Sequence, residues 1–401
     1  MRVLLAMPHV VEDLRRYGIA HSSYRHHRGY EHRYARFLGA AGISVSVSIL
    51  TRRFGEVTAE RHDYGHEIIY VPVGGTKYLR VLGLVGALGR LLGGFDLVHS
   101  TSYYSNLHDS LTAASMLTGT PIVAQSQGIY PNMPRAVYLR KLLTLGWSRH
   151  FLVLNRTEAA FLRSRFGIDA DRITVMPNFI DPSERRRLDK GEARESIGVP
   201  ANEFLILTVA RLERAKGIQV LLRALASLGP GSRPLTVIVG DGPYRGELEG
   251  LARALGVAGS VRFVGYVDNR HIDPYYAAAD AFVLPSLEES FGIVILEAMF
   301  HGVPVIASDA WGPRDIIRDG YNGLLFRRGD HEGLARALLW LMANRAAALE
   351  IGERGRQECL LKYTPEAVIP RLVGVYEGVV GRRGPGRPLA TRTSQRSRRG
   401  T

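Results

Sequence analysis

Short apolar runs alternate with stretches of helical periodicity along nearly the whole chain of 401 residues. Clear strand candidates of this kind occur seven times before residue 180 and five times after residue 200. Strands that alternate with helices favour βαβ units, in which parallel strands lie side by side and helices cover the faces of the sheet. Two such series predict two Rossmann-like α/β domains, and the apolar content of 46% is enough to fill two cores.

The boundary between the two domains is expected near residue 180. Residues 182–191 are polar and linker-like, and they follow the first series of strands. We therefore expect an N-terminal domain over residues 1–180, a second domain over residues 181–365 and a final helix over residues 366–380. Residues 381–401 contain seven arginines and no acidic residue, and Leu389 is their one large apolar side chain, so this composition predicts a disordered basic tail.

Charge and cysteine content narrow the class of protein. The net charge of +14 favours an anionic partner such as a nucleotide, a phospholipid surface or nucleic acid. Cys359 is the sole cysteine, so the chain can form neither an internal disulfide nor a cysteine metal cluster. The first apolar run ends at Pro8 and is too short for the apolar region of a signal peptide. We expect a cytoplasmic protein that is soluble or peripheral on the inner face of the membrane.

The strongest motif follows the predicted strand Ala281–Leu284. Glu289 and Glu297 are separated by seven residues in the stretch E-S-F-G-I-V-I-L-E, and a helix is expected to begin near Phe291 and Gly292. In a doubly wound sheet, ligands bind at the carboxyl ends of the strands. The unpaired N–H groups at a helix N-terminus attract phosphate. The two carboxylates are therefore expected to flank a bound phosphate, one ahead of the helix and one inside it.

A second charged loop follows the first strand of the second domain. Arg211 and Lys216 lie in the stretch A-R-L-E-R-A-K-G, which should face the same edge of the sheet as Phe291. Fixed cations at that edge lower the energy of a leaving phosphate as its negative charge develops, and arginine can bind two phosphate oxygens at once. The pair of loops therefore favours the chemistry of a nucleoside diphosphate leaving group.

Together these two motifs resemble those of the retaining glycosyltransferases of family 4, also described as glycosyl transferases group 1, which have the GT-B fold. The resemblance covers about residues 1–380 and is densest between residues 200 and 330. It implies two Rossmann-like domains that face each other across a cleft, with the last helix packed back on the N-terminal domain. The implied activity is transfer of a hexose-type sugar from a nucleotide diphosphate to a hydroxyl of a lipid, glycan or small molecule, in cell-envelope or polysaccharide biosynthesis.

The family pattern implies roles for individual residues. Arg211, Lys216 and Glu289 are the expected catalytic residues, and Glu297 is expected to bind the ribose hydroxyls of the donor. For Phe291, packing in the core is the alternative role. The other residues expected to bind the donor are Ser290, Phe291, Gly292, Ile293, Gly240, Val264 and, in the N-terminal domain, Gly29.

In the N-terminal domain the resemblance is looser. Arg28 and Gly29 stand where the family has a Gly-Gly turn, and Gln127 stands where many members carry a histidine. His99 ends a predicted strand in the pattern D-x-x-H. We assign Arg28, His99 and Gln127 to the acceptor or sugar side of the site. An amide neither gives nor takes a proton, so Gln127 is limited to hydrogen bonding.

No metal or other cofactor is expected. The D-x-D stretch Asp169-Ala170-Asp171 precedes a strand and therefore faces the wrong end of the sheet for a nucleotide-bound cation. Arg211 and Lys216 would supply the positive charge that a metal supplies elsewhere. We do not expect the histidines between His21 and Arg33 to form a metal site, since this stretch contains no cysteine.

Alternatives to the transferase stay open at this point. UDP-sugar epimerases and glycan phosphorylases share the architecture and cleave the same kind of sugar–phosphate bond. A nucleic-acid-binding protein that acts through the basic tail is a third class, although nucleic acid is the less expected partner. Residues 138–147 mix basic, aliphatic and aromatic side chains in a helical stretch, which makes an anionic membrane surface a further candidate partner. These motifs do not specify the base, the sugar, the acceptor, the linkage or the oligomeric state.

Overall fold

The computed structural model describes residues 1–17, 24, 26, 29–53, 55–73, 77–126, 128 and 133–381. The chain divides into two compact units. Unit 1 is formed by Met1–Val153, Thr157–Val175 and the chain from Ile369 onward. Unit 2 is formed by Leu154–Arg156 and Met176–Val368. The predicted basic tail beyond residue 381 lies outside the described residues.

In the described part of unit 1, eight strands form one sheet. Its strands are β1 (Arg2–Val10), β2 (Ser44–Thr51), β3 (Thr58–Arg61), β4 (Glu67–Pro72), β5 (Leu97–Ser100), β6 (Ile122–Gln125), β7 (His150–Val153) and β8 (Ile173–Val175). The order across the sheet is β3-β4-β2-β1-β5-β6-β7-β8. Neighbouring strands are parallel except β3 and β4, which pair antiparallel. Every residue of β5 and of β6 is buried, as expected for strands that are covered on both faces.

Helices connect these strands. They are α1 (Tyr30–Ala40), α2 (Lys77–Leu92), α3 (Asn106–Thr118), α4 (Arg135–Trp147) and α5 (Arg156–Phe166). The bounds of α3 follow from its capping residues. The Ser105 side chain accepts a hydrogen bond from the backbone N–H of His108 and so begins the helix, and Gly119 ends it in the left-handed conformation at φ 73°.

Unit 2 contains a six-stranded parallel sheet. Its strands are β9 (Leu205–Val209), β10 (Leu235–Val239), β11 (Val261–Gly265), β12 (Ala281–Leu284), β13 (Val305–Ser308) and β14 (Leu324–Phe326). The order is β11-β10-β9-β12-β13-β14, and all neighbours are parallel. The strand order reverses between β9 and β12. The carboxyl ends of these two strands therefore form the topological switch point at which doubly wound sheets bind ligands.

The helices of unit 2 cover both faces of its sheet. They are α6 (Lys190–Ser196), α7 (Ile218–Ser227), α8 (Arg245–Ala254), α9 (Asp273–Ala278), α10 (Ile293–Phe300), α11 (Pro313–Ile316), α12 (His331–Ala343) and α13 (Arg345–Lys362). A last helix, α14 (Pro365–Gly381), begins in unit 2 and contributes its residues from Ile369 onward to unit 1. Two hydrophobic cores, one on each face of the sheet, hold unit 2 together.

This architecture confirms the predicted α/β class with two parallel sheets. The interpretation of residues 182–191 as a linker is wrong for part of the segment, because Arg185 is buried and α6 begins at Lys190. The Asp169-Ala170-Asp171 stretch lies between α5 and β8, ahead of the strand as predicted. Among the described helices, none combines the length and the apolar character that crossing a membrane requires.

Candidate functional site

The loops after β9 and β12 are in direct backbone contact at the switch point. The N–H of Leu287 donates to the carbonyl of Ala215 at 2.8 Å. Gly217 ends the β9 loop at φ 67°, and a Cβ at this position would lie 1.9 Å from the carbonyl oxygen of Pro285. Only glycine fits, since the conformation is left-handed and the space is filled by backbone. The two loops therefore form one closely packed surface.

Lys216 of the β9 loop and Glu289 of the β12 loop form an ion pair. The Nζ of Lys216 lies 2.8 Å from Oε2 of Glu289, with 27% and 12% of the two side chains exposed. The hydroxyl of Ser286 donates to the same carboxylate oxygen at 3.4 Å. The structure thus brings two of the predicted catalytic residues together, and it leaves their polar atoms partly open to a ligand.

The backbone between Glu289 and Gly292 is held on both sides. The N–H of Gly312 donates to the carbonyl of Glu289 at 2.9 Å, and the side-chain amide of Asn155 donates to the carbonyl of Ser290 at 2.8 Å. A Cβ on Gly312 would lie 2.4 Å from the Cα of Phe291, so no side chain fits there. These contacts fix the path of the loop that leads into α10.

Helix α10 begins at the end of this loop, with Phe291 and Gly292 buried and Ile293 and Val294 half-buried. Gly292 caps the helix at φ 91°, and Ile293 is its first residue. The first N–H groups of any helix have no partner within it and carry the positive end of the helix dipole. Phe291 is buried and packs edge-to-face on Tyr363, with ring centroids 6.3 Å apart. Its side chain therefore belongs to the core, which leaves its backbone for ligand contact.

Arg211, the third predicted catalytic residue, lies on the β9 loop ahead of Lys216. Its Nε is 2.9 Å from Oε1 of Glu213, and 54% of the Arg211 side chain is exposed. An exposed ion pair of this kind is weak, typically below about 1 kcal/mol. This ion pair with Glu213 therefore opposes binding of an anionic ligand by Arg211 only weakly.

Glu297 is the fifth residue of α10 and is almost fully buried. Its Oε1 accepts from a guanidinium nitrogen of Arg185, and its Oε2 accepts from the hydroxyl of Tyr276 at 2.7 Å. Burial and the charge of Glu297 raise the pKa of Tyr276 well above its ordinary value, so this hydroxyl keeps its proton. No sequence motif identifies Arg185, because it is one of three consecutive arginines that look alike in the sequence.

Asp273 anchors the other side of Arg185. The Oδ1 of Asp273 lies 3.5 Å from a guanidinium nitrogen of Arg185 and 3.2 Å from Nε2 of His301. Burial alone would raise the pKa of the Asp273 carboxyl. Hydrogen bonds from His301 and from the backbone N–H of Arg186, together with the charge of Arg185, outweigh burial and hold that pKa below its usual value. A charged, buried network therefore surrounds Glu297.

Gly240 and Val264 lie beside the β9 loop, at the carboxyl ends of β10 and β11. The N–H of Gly240 donates to the carbonyl of Gly265 at 2.8 Å, which joins the two strand ends. Val264 is half-buried and packs against the core. Its side chain is therefore structural, and any ligand contact falls to backbone groups.

The predicted site residues of the N-terminal half lie in unit 1. Gly29 caps α1, and its carbonyl accepts from the N–H groups of His32 and Arg33 at 3.2 Å. His99 is buried at the end of β5, with its Nδ1 2.7 Å from the hydroxyl of Tyr376 in α14. Burial lowers the pKa of His99 to about 4. Arg28 and Gln127 lie outside the described residues.

Three histidines that no sequence motif connects also lie close together in unit 1. His32 Nδ1 and His66 Nε2 are 2.8 Å apart, which is the distance of an N–H···N hydrogen bond, and the angle between their ring planes is 21°. The ring of His62 stacks on both, with centroids 4.0 Å and 4.5 Å away. Ion binding needs three lone pairs that converge on one point about 2.0–2.1 Å from each nitrogen. One ring nitrogen from each of the three histidines lies within 4.8 Å of the other two, so together they form a candidate metal-binding cluster.

Comparison with known proteins identifies the relatives of both halves. Residues 189–358 match the family described as Glycosyl transferases group 1, and residues 30–184 match Glycosyltransferase Family 4. The D-inositol 3-phosphate glycosyltransferase of Thermomonospora curvata is 31% identical over 335 residues, which cover 79% of this chain and 73% of that protein. The lipopolysaccharide core biosynthesis glycosyltransferase LpsE of Rhizobium meliloti is 36% identical over 196 residues, 49% of this chain and 55% of that protein. The match spans between 48% and 66% of the length of four curated relatives.

A solved structure extends the similarity to the whole fold. The structure of Anabaena Alr3699/HepE in complex with UDP has a TM-score of 0.76 with this chain, covers 94% of it and 100% of its own chain, and is 19% identical in sequence. At this identity the similarity establishes the fold, which is the GT-B fold of two Rossmann-like domains. The function depends on the residues of the site and not on the fold.

Proposed function

Because this chain belongs to the glycosyl transferases of group 1, glycosyltransferase family 4, we propose that it is a retaining, metal-independent glycosyltransferase. It moves a sugar from a nucleotide diphosphate to the hydroxyl of an acceptor. The observation that carries the proposal is the Lys216–Glu289 pair on the loops that lead into the N-terminus of α10. A cation, a carboxylate and a helix N-terminus at one switch point fit a ligand that has both a phosphate and a sugar.

The diphosphate binds between Lys216 and the first N–H groups of α10. A helix N-terminus favours an anion through its unpaired N–H groups and its dipole. The Lys216 ammonium is partly exposed and has three donors, of which the contact with Glu289 uses one. Arg211 on the same loop adds a second positive charge. Two cations and a helix terminus balance the negative charge of a diphosphate.

The donor sugar contacts Glu289 and the backbone of the loop that follows it. A carboxylate accepts hydrogen bonds from sugar hydroxyls, and Glu289 is held by Lys216 and Ser286. The backbone of Ser290, Phe291 and Gly292 is fixed by neighbouring side chain and backbone groups, so it needs no reordering when the sugar binds. Preorganisation of this kind lowers the free-energy cost of binding.

The nucleoside lies further along α10 and towards β11. The Glu297 carboxylate accepts from the ribose hydroxyls, and the joined backbone at Gly240 and Gly265 forms the wall beside the base. UDP is the first nucleotide to test, because HepE of Anabaena was solved with UDP. The donor of this chain is otherwise left to experiment.

Transfer breaks the bond between the anomeric carbon and the leaving phosphate oxygen. The transition state is oxocarbenium-like, with positive charge on the sugar and negative charge on the diphosphate. Lys216 and Arg211 stabilise the leaving diphosphate and take the part that a metal ion plays in other transferases. The acceptor hydroxyl attacks from the face that the diphosphate leaves, and its proton passes to the departing phosphate oxygen. The configuration at the anomeric carbon is therefore retained.

We also propose that the enzyme binds an anionic membrane surface, where it finds its acceptor. Two leucines of α4, Leu139 and Leu143, are 53% and 78% exposed, and Arg135 and Arg140 on the same helix are also exposed. Exposed apolar side chains that alternate with arginines favour contact with anionic lipid. Such a surface brings the enzyme to a lipid acceptor or to a glycan that grows on lipid.

The proposal is tested by thermal unfolding of the purified chain with UDP, GDP, ADP, dTDP and CMP, alone and as sugar conjugates. A ligand that binds only the native state adds about 2.7 kcal/mol of stability at a hundredfold excess over its dissociation constant. We expect one diphosphate to raise the Tm, and Arg211→Ala and Glu297→Ala to reduce that shift. The sugar conjugate of the same base should then support transfer or slow hydrolysis with the anomeric configuration retained, as NMR of the product would report.

A chain whose Tm does not move with any of these nucleotides would contradict the proposal. Inversion at the anomeric carbon would contradict the retaining mechanism alone. Activity that is abolished by EDTA and restored by a divalent cation would contradict metal independence alone. Deletion of residues 381–401 should leave nucleotide binding intact, because no residue of the proposed donor site lies there.

A further inference from the structure

We propose that Arg185 is a positioning residue for the donor nucleotide, which holds the Glu297 carboxylate in the orientation that binds the ribose hydroxyls. This inference rests on the proposed function, in which Glu297 binds the ribose. It adds a residue that lies outside the sequence motifs and 112 positions away from Glu297 in the chain.

Arg185 and Glu297 form a buried pair. Their side chains are 4% and 8% exposed, and a guanidinium Nη2 donates to Oε1 of Glu297. A buried carboxylate without a cation loses its hydration and receives nothing in return, which is costly. Arg185 therefore supplies the opposite charge and the hydrogen bond that the buried Glu297 carboxylate does not receive from water.

These two contacts leave hydrogen-bonding capacity on the carboxylate for two further donors. Arg185 takes one oxygen and the Tyr276 hydroxyl takes the other, at 2.7 Å. An ionised carboxylate has about four lone-pair sites, two on each oxygen, so one site remains on each. Neighbouring 2′- and 3′-hydroxyls of a ribose offer two donors at that spacing. The pair and the ribose can thus share the same carboxylate.

Arg185 is itself fixed by a second set of contacts. Its Nη2 donates to the side-chain carbonyl of Asn269 at 3.1 Å, and its Nη1 lies 3.5 Å from Asp273 Oδ1. Asp273 is held in turn by the backbone N–H of Arg186 at 2.7 Å and by His301 at 3.2 Å. A planar guanidinium with partners on both sides has one orientation, so it can set the orientation of Glu297. A lysine at position 185 would keep the positive charge but would lose the several N–H donors that the planar guanidinium holds in fixed directions.

The test compares ribonucleotides with their 2′-deoxy counterparts. Dissociation constants of UDP, GDP and ADP and of dUDP, dGDP and dADP are measured by calorimetry for the full chain and for Arg185→Met, Arg185→Lys and Glu297→Gln. For the base that binds, we expect the wild-type chain to prefer the ribonucleotide at least about tenfold, which is roughly 1.4 kcal/mol. Arg185→Met and Glu297→Gln should bring this ratio close to one, and Arg185→Lys should give an intermediate ratio. Arg186→Met is the matched control, because its side chain is exposed in the same run, and it should keep the wild-type ratio.

Each other outcome overturns the inference in a distinguishable way. If Arg185→Met weakens the ribonucleotide and the deoxynucleotide by the same factor, Arg185 is merely structural and the inference fails while the proposed function stands. If Arg185→Met does not fold, Arg185→Lys decides, and a ratio equal to that of the wild-type chain rejects the inference. A wild-type chain that binds none of the six nucleotides overturns both the proposed function and this inference.

Discussion

The Nζ of Lys216 lies 2.8 Å from Oε2 of Glu289, although the two residues are 73 positions apart in the chain. One residue belongs to the loop after β9 and the other to the loop after β12. The pair therefore closes the switch point of unit 2 with a cation and a carboxylate side by side. Its partial exposure keeps both groups available to a ligand that needs the two charges together.

Lys216→Met should weaken binding of the nucleoside diphosphate about tenfold or more, because a charge-assisted hydrogen bond to an anion contributes about 1.5–3 kcal/mol. Fluorescence or calorimetric titration with the nucleotide that stabilises the wild-type chain measures this loss. Arg214→Met is the matched control, since Arg214 is an exposed cation on the same loop. Equal losses in the two variants would show that the loop acts only through its overall charge.

Gly217→Ala should lower the free energy of unfolding by more than about 1 kcal/mol, because the added Cβ meets the carbonyl of Pro285 in a left-handed conformation. Urea unfolding reports this change, and nucleotide affinity should fall with it. Gly246→Ala is the control, because a Cβ added at this glycine of α8 would meet no atom within 4 Å beyond the local backbone of its own helix. Alanine there should leave the stability unchanged or raise it by about 0.5–1 kcal/mol.

Acid should destabilise the fold through buried histidines. Burial lowers the pKa of His99 to about 4, burial and the charge of Lys141 lower the pKa of His108 to about 3, and burial with His62 lowers the pKa of His66 to about 4. The unfolded pKa is about 6.5, so the stabilising effect is complete above that pH and is lost as the pH falls towards 4. Each such histidine should cost about 1.4 kcal/mol per pH unit within that window.

Urea unfolding at pH 7.5, 6.5, 5.5 and 4.5 measures the slope. His108→Gln removes one titrating group and should flatten the slope between pH 6.5 and pH 4.5. His271→Gln replaces an exposed imidazole and should leave the slope as it is. A slope that is unchanged in His108→Gln would mean that this ring takes up its proton equally in the native and unfolded states, which contradicts the lowered pKa.

Leu143→Glu should reduce binding of the chain to vesicles that contain phosphatidylglycerol. A buried leucine side chain contributes about 1.5–3 kcal/mol on leaving water, so the partition constant should fall about tenfold or more. Sedimentation with vesicles at two salt concentrations measures the effect, and added salt should weaken binding through α4. Leu361→Glu is the control, because Leu361 is 72% exposed on α13 in unit 2. Similar losses in both variants, or no wild-type binding, would reject α4 as the membrane surface.

Apolar periodicity is sufficient to predict the strands that are buried on both faces. Strand β12 illustrates the point, since all of its residues are buried and its predicted and observed bounds agree. Strand β3 escapes prediction because T-A-E-R is polar and largely exposed, and so has no burial pattern to detect. Strand β14 escapes prediction because its three residues follow a glycine-rich turn that dominates the local signal.

The candidate site likewise combines residues that sequence motifs predict with residues that only tertiary contacts bring to it. Glu289, Glu297 and Lys216 lie in motifs whose spacing is readable along the chain. Arg185 contacts Glu297 of α10 and Asn155 contacts the loop ahead of it, and no spacing rule connects these two residues to the motifs. The polar character of residues 182–191 suggests a linker, but charge in a sequence does not distinguish a solvated side chain from one that neutralises a buried carboxylate.

The antiparallel strand β3 has a consequence for the behaviour of the chain in concentrated solution. Without it, β4 would end the sheet of unit 1 and present the unpaired backbone of Ile68, Ile69, Tyr70 and Val71, which are all buried. A bare apolar edge of this kind recruits other chains and begins aggregation. The short, charged β3 covers it, with Arg61 exposed to the solvent and Glu60 half-buried where it accepts a hydrogen bond from the Tyr70 hydroxyl. Proteolytic loss of β3 alone would therefore expose β4 as an edge on which further chains can add.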